Sequence, residues 1–198
     1  MKKALTVLLL PLAVLLLGGC ATSSAPAAGA SKAPKQLGVD QILPFVHIDG
    51  FGTETPSPAW LAWEFEAQGY VKYQITYTSC TCRQESINVK STLYIEISKQ
   101  GSKSRIKNLY FHYWGDSPVT PAGQTRDEIE KTFMAKMPGM DQKALADVDI
   151  ITGATVTTIN LKQIGAAILD YHKKNYPQDS GIEVEIGPDA VTGATAEE

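Results

Sequence analysis

The residues of this chain best placed to do chemistry are the run Asp149-Ile150-Ile151-Thr152-Gly153-Ala154-Thr155 and a pair of thiols, Cys80 and Cys82. The first reads as a short acidic turn just ahead of a helical pattern. Its small residues, Gly153 and Ala154, leave the Thr155 hydroxyl clear of bulk, so a large group can be attached there. A threonine hydroxyl is a weak nucleophile, and no His or Lys adjoins it in sequence to act as base, so Thr155 reads as an acceptor activated from outside, not a catalyst. The same spacing recurs in Asp189-Ala190-Val191-Thr192-Gly193-Ala194-Thr195. Only Ala196, Glu197 and Glu198 follow it, too few for a helix that could help enclose a ligand. The copy is therefore either a remnant of duplication or a coincidence of composition, or a second acceptor, Thr195, recognised as a bare peptide.

Compartment decides how the thiols are read. Lys2 and Lys3 precede an apolar run over residues 4–17, too short for a secure membrane span, which closes on Leu17-Gly18-Gly19-Cys20. That ending resembles the bacterial lipobox, in which the peptide is cut before the cysteine and the thiol is acylated. Lipid on Cys20 would anchor the mature chain to a bilayer. Of three cysteines this leaves Cys80 and Cys82 as thiols outside the cytoplasm. A disulfide between them would close a small, strained and reducible ring. The alternatives are two buried thiols acting as small apolar residues, or bridges to other chains. Haem attachment needs C-x-x-C-H, which Cys80-Thr81-Cys82-Arg83 does not supply. His47, His112 and His172 show no ligand spacing, and no metal is assigned.

The elements that must position Thr155 follow from composition and period. The 198 residues divide into a signal peptide (1–19), a lipidated cysteine and Ala/Ser/Pro-rich tether (20–38), one folded domain (39–187) and a tail with the second motif (188–198). Eighteen Lys and Arg against 21 Asp and Glu give a formal net charge of -3, and losing Lys2 and Lys3 with the leader makes the chain more acidic still. An acidic chain without a basic stripe excludes nucleic acid as a partner.

In the domain, residues 42–48 form a short apolar run, and Trp60, Leu61, Trp63 and Phe65 follow without a clear period. Alternation with period two predicts strands over 70–79 (Val71, Tyr73, Ile75, Tyr77 on one face), 92–98 (Leu93, Ile95, Ile97) and 105–114 (Ile106, Leu109, Phe111, Tyr113, with a register change near Asn108). Two short connections make them an antiparallel meander. Thr125 and Glu128 predict a capping box for a helix over 126–136, stopped by Pro138 and Gly139 and burying Ile129, Phe133 and Met137. Thr157 or Thr158 is the expected cap of a second helix, ending at Tyr176-Pro177 and burying Ile164, Ile168 and Tyr171. Ile182, Val184 and Ile186 predict a last edge strand. The fold class is α+β, a small antiparallel sheet of three to five strands packed with two main helices.

In this order of elements, the run from Asp149 to Thr155 resembles the flavinylation motif Asp-x-x-Ser/Thr-Gly-Ala-Thr of FMN-binding domains, found in flavin-bearing subunits of Rnf and sodium-translocating NADH:quinone reductase complexes and in small exported flavinylated lipoproteins. The resemblance covers roughly residues 60–176 and is specific over 149–158. It implies an FMN-binding-domain-like fold and covalent FMN on Thr155, attached by an FMN transferase from FAD with Mg²⁺ and release of AMP. Asp149, Thr152, Gly153 and Ala154 then form the recognition turn. In the tail, Asp189, Thr192, Gly193 and Ala194 would do the same for Thr195. The loop at Gly115-Asp116-Ser117-Pro118 departs from the family, whose members often carry a Glu-Thr pair there. Trp60, Trp63, Trp114 and Tyr113 are available to stack on a flavin, although large aromatics are common core residues.

The expected function is electron transfer by a lipid-anchored flavoprotein of the bacterial cell envelope, facing the periplasm or exterior, between a membrane donor and an outside acceptor or reductase. Cys80 and Cys82 could exchange electrons with the flavin. The alternatives are an FMN-dependent reductase of a small molecule, for which the sequence lacks an orienting Arg cluster or a His/Asp acid pair, and a non-redox lipoprotein with a structural or binding role.

Overall fold

The computed structural model describes residues 32–38, 41–48, 54–79, 90–115, 123–152 and 154–187. Its strands in chain order are β1 (Lys35–Gln36), β2 (Ile42–Leu43), β3 (Val46–Ile48), β4 (Glu54–Pro56), β5 (Ala59–Glu66), β6 (Tyr70–Thr78), β7 (Lys90–Ser98) and β8 (Ile106–Tyr113). The helices are α1 (Arg126–Thr132), α2 (Gln142–Ala146) and α3 (Thr155–Asn175). The fold is α+β. The main sheet is antiparallel in the order β1-β5-β6-β7-β8, with β2 also on β5, and β3 and β4 form a separate hairpin.

The expectation of three to five strands is thus corrected to six in the main sheet among the described residues. The three predicted strands form, and β5 joins them through the stretch of Trp60 and Trp63 that had no clear period. The reason is a bulge: Leu61 pairs with Ile75 but Trp63 with Gln74, so Ala62 is the extra residue. Side chains before and after a bulge keep their faces only by breaking the sequence period. A second irregularity sits where a register change was predicted, with Glu96 opposite Asn108 and Ile97 opposite Ile106, leaving Lys107 unmatched. A third, at His112, turns Tyr113 outward, where it is 60 % exposed instead of lining the core.

One sheet face packs on α3. Val71, Tyr73, Ile75, Tyr77, Leu93, Ile95 and Ile97 are buried with Leu161, Ile164, Ile168 and Leu169 of the helix. Burying each such side chain stabilises the fold by about 1.5–3 kcal/mol before entropy is counted. At the C-terminal end of α3, His172 stacks on Tyr176, and its Nδ1 lies 2.8 Å from the Tyr73 hydroxyl. The Tyr176 hydroxyl donates to buried Glu64. Gly165 lets α2 approach α3, since a Cβ there would meet Leu145 at 2.7 Å.

Segment 123–140 closes the outer edge of β8. Thr125 caps α1 in the predicted box with Glu128. The helix is shorter than expected, ending at Thr132 and continuing as a 3-10 turn over Met134–Lys136. Ile129, Phe133 and Met137 are buried as predicted. Glu130 accepts from the Phe111 amide, Arg126 donates to the Phe111 carbonyl, and Gly139 and Met140 bond to Ile106, so the edge offers less backbone to another chain.

Two further expectations are corrected. Helix α3 begins at Thr155 with Ala154 as N-cap and no side-chain cap bond, not after Thr157 or Thr158. Those two threonines lie inside the first turns and are buried, because the turn before the helix packs down on it. Residues 182–186 form no strand. The segment wraps the end of the sheet instead: the Ser180 amide bonds the Lys99 carbonyl, Ile182 and Val184 pack over Gly69, and the Gly187 amide bonds the Lys107 carbonyl. Ile182 and Val184 pack inward while Ile186 stays 43 % exposed, so the sequence has the period of a strand without its ladder.

Two predictions concern this framework. Burial pushes His172 down to about 4, helped by the charges of Lys99 and Lys173 and opposed by the Ser98 backbone. The folded state therefore binds fewer protons than the unfolded chain between pH 6.5 and about 4. Stability is complete above pH 6.5 and falls through that window by roughly 3 kcal/mol. Urea titrations of wild type and His172→Gln at several pH values check this, the variant showing a shallower slope over the window. A Cβ on Gly115 would lie 1.8 Å from the Lys90 carbonyl oxygen. Gly115→Ala is expected to destabilise the domain by about 1–3 kcal/mol or more, read as a lowered Tm.

Candidate functional site

The turn that leads into α3 is held by the helix it precedes. The Ala154 amide donates to the Ile151 carbonyl at 3.0 Å, closing the turn. Thr158, one helical turn on, is buried, and its Oγ1 lies 3.1 Å from the Ala154 carbonyl and 3.2 Å from that of Thr155. The same oxygen accepts the Ile151 amide at 3.4 Å. A turn further on, the Lys162 ammonium donates to the carbonyls of Ala146 and Val148, at 2.9 and 2.6 Å. The chain from the end of α2 to Ala154 is thus stitched to α3 by two side chains of the helix itself.

These ties sort the motif residues by exposure. Ala154 is buried, so a larger side chain there would lift the turn from the core. Thr155, the first residue of the helix, is exposed, as are Asp149, Ile150 and Thr152. Gly153 lies outside the described residues, as do Cys20, Cys80, Cys82, Asp116 and the whole second motif including Asp189, Thr192, Gly193, Ala194 and Thr195. The residues on either side of 80–89 are described: the hydroxyls of Ser79 and Ser91 are hydrogen-bonded, and Ser91 also accepts the Gly115 amide at 3.0 Å.

Electrostatics around Thr155 favour an anionic substituent. The first turn of α3 has no acidic side chain. The start of a 21-residue helix is the positive end of its dipole, which favours negative charge. Thr155 therefore combines an accessible hydroxyl with a setting suited to a phosphodiester. Among the described residues no group of three or more His, Cys, Asp or Glu could hold a metal ion. No described helix is long and apolar enough to cross a membrane.

The aromatic residues singled out from sequence divide between two places. Trp114 packs edge-on against Phe111, centroids 4.9 Å apart, beside the core. Trp60, Trp63 and Tyr113 lie on the sheet face turned away from α3, Trp60 beneath the Lys90 ammonium at 4.6 Å. On that face Phe65, Tyr94, Tyr110 and His112 join them, with Tyr94 5.4 Å from both Tyr110 and His112. Sequence reasoning missed Phe65, Tyr94 and Tyr110. The available signal was the set of aromatic residues at the non-core positions of strands whose core positions were already identified.

The same face carries a buried charge cluster. Glu96, 1 % exposed, accepts from Lys72 at 2.7 Å and from Lys107 at 3.1 Å. Burial works to lower the Lys72 pKa, but the Glu96 carboxylate and the Tyr110 hydroxyl outweigh it and raise it above the ordinary lysine value. Comparison of the chain with family models, curated proteins and solved structures gives no match.

The turn generates its own prediction. Thr158→Val removes the hydroxyl at nearly constant volume and strands the Ile151 amide, at a cost of about 1–2 kcal/mol. Hydrogen exchange of the Ile151 amide should accelerate while amides of β7 keep their protection. Unchanged exchange at Ile151 would show that Thr158 does not hold the turn.

Proposed function

We propose that this chain is a lipid-anchored flavoprotein of the bacterial cell envelope that carries FMN covalently on Thr155 and passes electrons between a membrane donor and an extracytoplasmic acceptor or reductase. The single observation that carries the reading is the exposure of Thr155 at the first position of α3, directly after a buried and tethered Ala154. Ala154, which needs to be small and buried, is so, and Thr155, which needs to be reached, is exposed. An FMN-binding-domain-like fold belongs to the same proposal. Its support is the α+β architecture with a long helix starting at the motif.

In the attachment step, the Thr155 oxygen forms a bond to the FMN phosphorus of FAD, the pyrophosphate bond breaks, AMP leaves and the hydroxyl proton passes to solvent. No electrons are transferred. An FMN transferase supplies the activation that the chain lacks, since neither His nor Lys adjoins Thr155 in sequence. Asp149, exposed ahead of the turn, is a contact for that enzyme. Once attached, FMN supplies one- and two-electron redox chemistry, and the protein supplies orientation and electrostatics. The positive end of the α3 dipole would favour the charge of the phosphodiester. Acylated Cys20 holds the domain at the bilayer through the tether. The second motif extends the proposal to a further FMN on Thr195, with Asp189, Thr192, Gly193 and Ala194 as its recognition turn.

Intact mass of the form beginning after Cys20, co-produced with an active FMN transferase, tests this directly. The expected result is added FMN that Thr155→Ala removes in part, with the remainder removed by Thr195→Ala. Loss of all flavin with Thr155→Ala alone would restrict the chain to a single flavin. Wild-type protein without added mass, beside a flavinylated control substrate, would overturn the reading.

A further inference from the structure

The sheet face turned away from α3 has no part in the attachment of FMN to Thr155, yet it is built as a ligand surface. Its cross-strand pairs set Phe65 beside Lys72, Lys72 beside Glu96, Glu96 beside Asn108 and Tyr94 beside Tyr110. Toward α1 the face deepens into a groove of about 670 Å³, floored by Lys72, Glu96, Asn108 and Tyr110 and walled by Met134 and Pro138. That size falls within the roughly 300–1,000 Å³ of small-molecule sites. An aromatic ring and apolar walls, with an ammonium, an amide and a carboxylate along the floor, match a flat fused-ring ligand that has one polar edge. The Lys72 ammonium lies 5.6 Å from the centroid of the Tyr110 ring.

Charge and chain path indicate where that ligand comes from. Lys72 and Lys107 both pair with Glu96, and Glu130 on the groove wall is paired with Arg126 at 3.1 Å; Lys107 and Arg126 stand beside the groove instead of lining it, and with them these five side chains carry three positive charges against two negative. Ile186 and Gly187, the last described residues, line this same groove, and the Gly187 amide is bonded to the Lys107 carbonyl at 2.8 Å. The chain that continues from there carries Asp189, Glu197 and Glu198 and neither Lys nor Arg. Thr195 is eight residues beyond Gly187. Fully extended, that length spans about 26–29 Å, while β8 to β5 is three strand spacings, about 14 Å. The span across the strands is within reach.

We infer that this groove is the docking site of the chain's own C-terminal segment, residues 188–198, and that it receives the isoalloxazine of FMN carried on Thr195. The inference rests on the reading of the second motif as an FMN acceptor. Docking gives the tail flavin two positions, one against Tyr110 and one away from the domain, so the same group can be held by the protein or presented to a partner.

The test uses the full-length lipoprotein with Thr155→Ala, purified in detergent after co-production with the transferase, so that Thr195 is the sole acceptor. Flavin fluorescence and visible circular dichroism are compared with those of a flavinylated peptide of residues 188–198. Docking predicts quenched fluorescence and an induced dichroic band. Ala135→Arg, at an exposed position lining the groove, and Tyr110→Leu should each lower the ratio of docked to undocked flavin by roughly five-fold or more. Melting curves that match the parent confirm that the variants fold, and Ala135→Arg carries the test if Tyr110→Leu does not. Spectra equal to those of the peptide, or quenching that neither variant relieves, would overturn the docking while leaving a flavin on Thr195. Quenching lost on dilution would assign the groove to the tail of a second copy and overturn docking within one chain. No flavin mass on Thr195 would remove the two-flavin reading and the docking with it, leaving Thr155 untouched.

Discussion

The burial of one face of α3 against one face of the sheet is the contact on which the rest of the structure depends. It is made by interleaved aliphatic side chains and closed at its far end by Tyr73, His172, Tyr176 and Glu64. Because α3 is 21 residues long, its packing fixes both of its ends at once. The C-terminal end is fixed by buried polar contacts. The N-terminal end is where the turn at Ala154 is drawn against the core and Thr155 is turned outward.

Having α3 on one side leaves the other side of the sheet to different physics. With no described helix across it, that face is floored by partly buried aromatic rings and by the Lys72, Glu96 and Lys107 cluster. A buried carboxylate is tolerable only when its charge is compensated at short range, and here two ammonium groups do so. The arrangement contributes little net stability. It sets a fixed local charge and a rigid orientation for Tyr110, whose hydroxyl accepts from Lys72 at 3.2 Å. Irregular registers at Ala62, Lys107 and His112 shape this face, turning side chains outward that strict alternation would hide.

The edge of β8 shows how the same chain avoids association through its backbone. Side chains of α1 occupy the hydrogen-bonding groups of Phe111, and the turn after Pro138 occupies those of Ile106. At the strand ends, the 180–187 segment covers Gly69 and Lys99 with side-chain packing and a few backbone bonds. Gly101, at φ +57°, permits the tight turn between β7 and β8, across which the chain at Pro177 and Asp179 packs.

Local signals were legible in the sequence because they arise between near neighbours. Alternation over 70–79 and 92–98 marked the core faces of β6 and β7, the pair Thr125 and Glu128 marked the start of α1, and Tyr176-Pro177 marked the end of α3. What only the tertiary structure decided was every feature set by distant residues. The bulge at Ala62 depends on β6. The start of α3 at Thr155 depends on a turn packing back onto Thr158. The path of residues 182–186 depends on Gly69 and Lys107. The gathering of Phe65, Tyr94 and Tyr110 over one charge cluster depends on the register of four strands, and register is a property of pairs of strands that no single strand encodes.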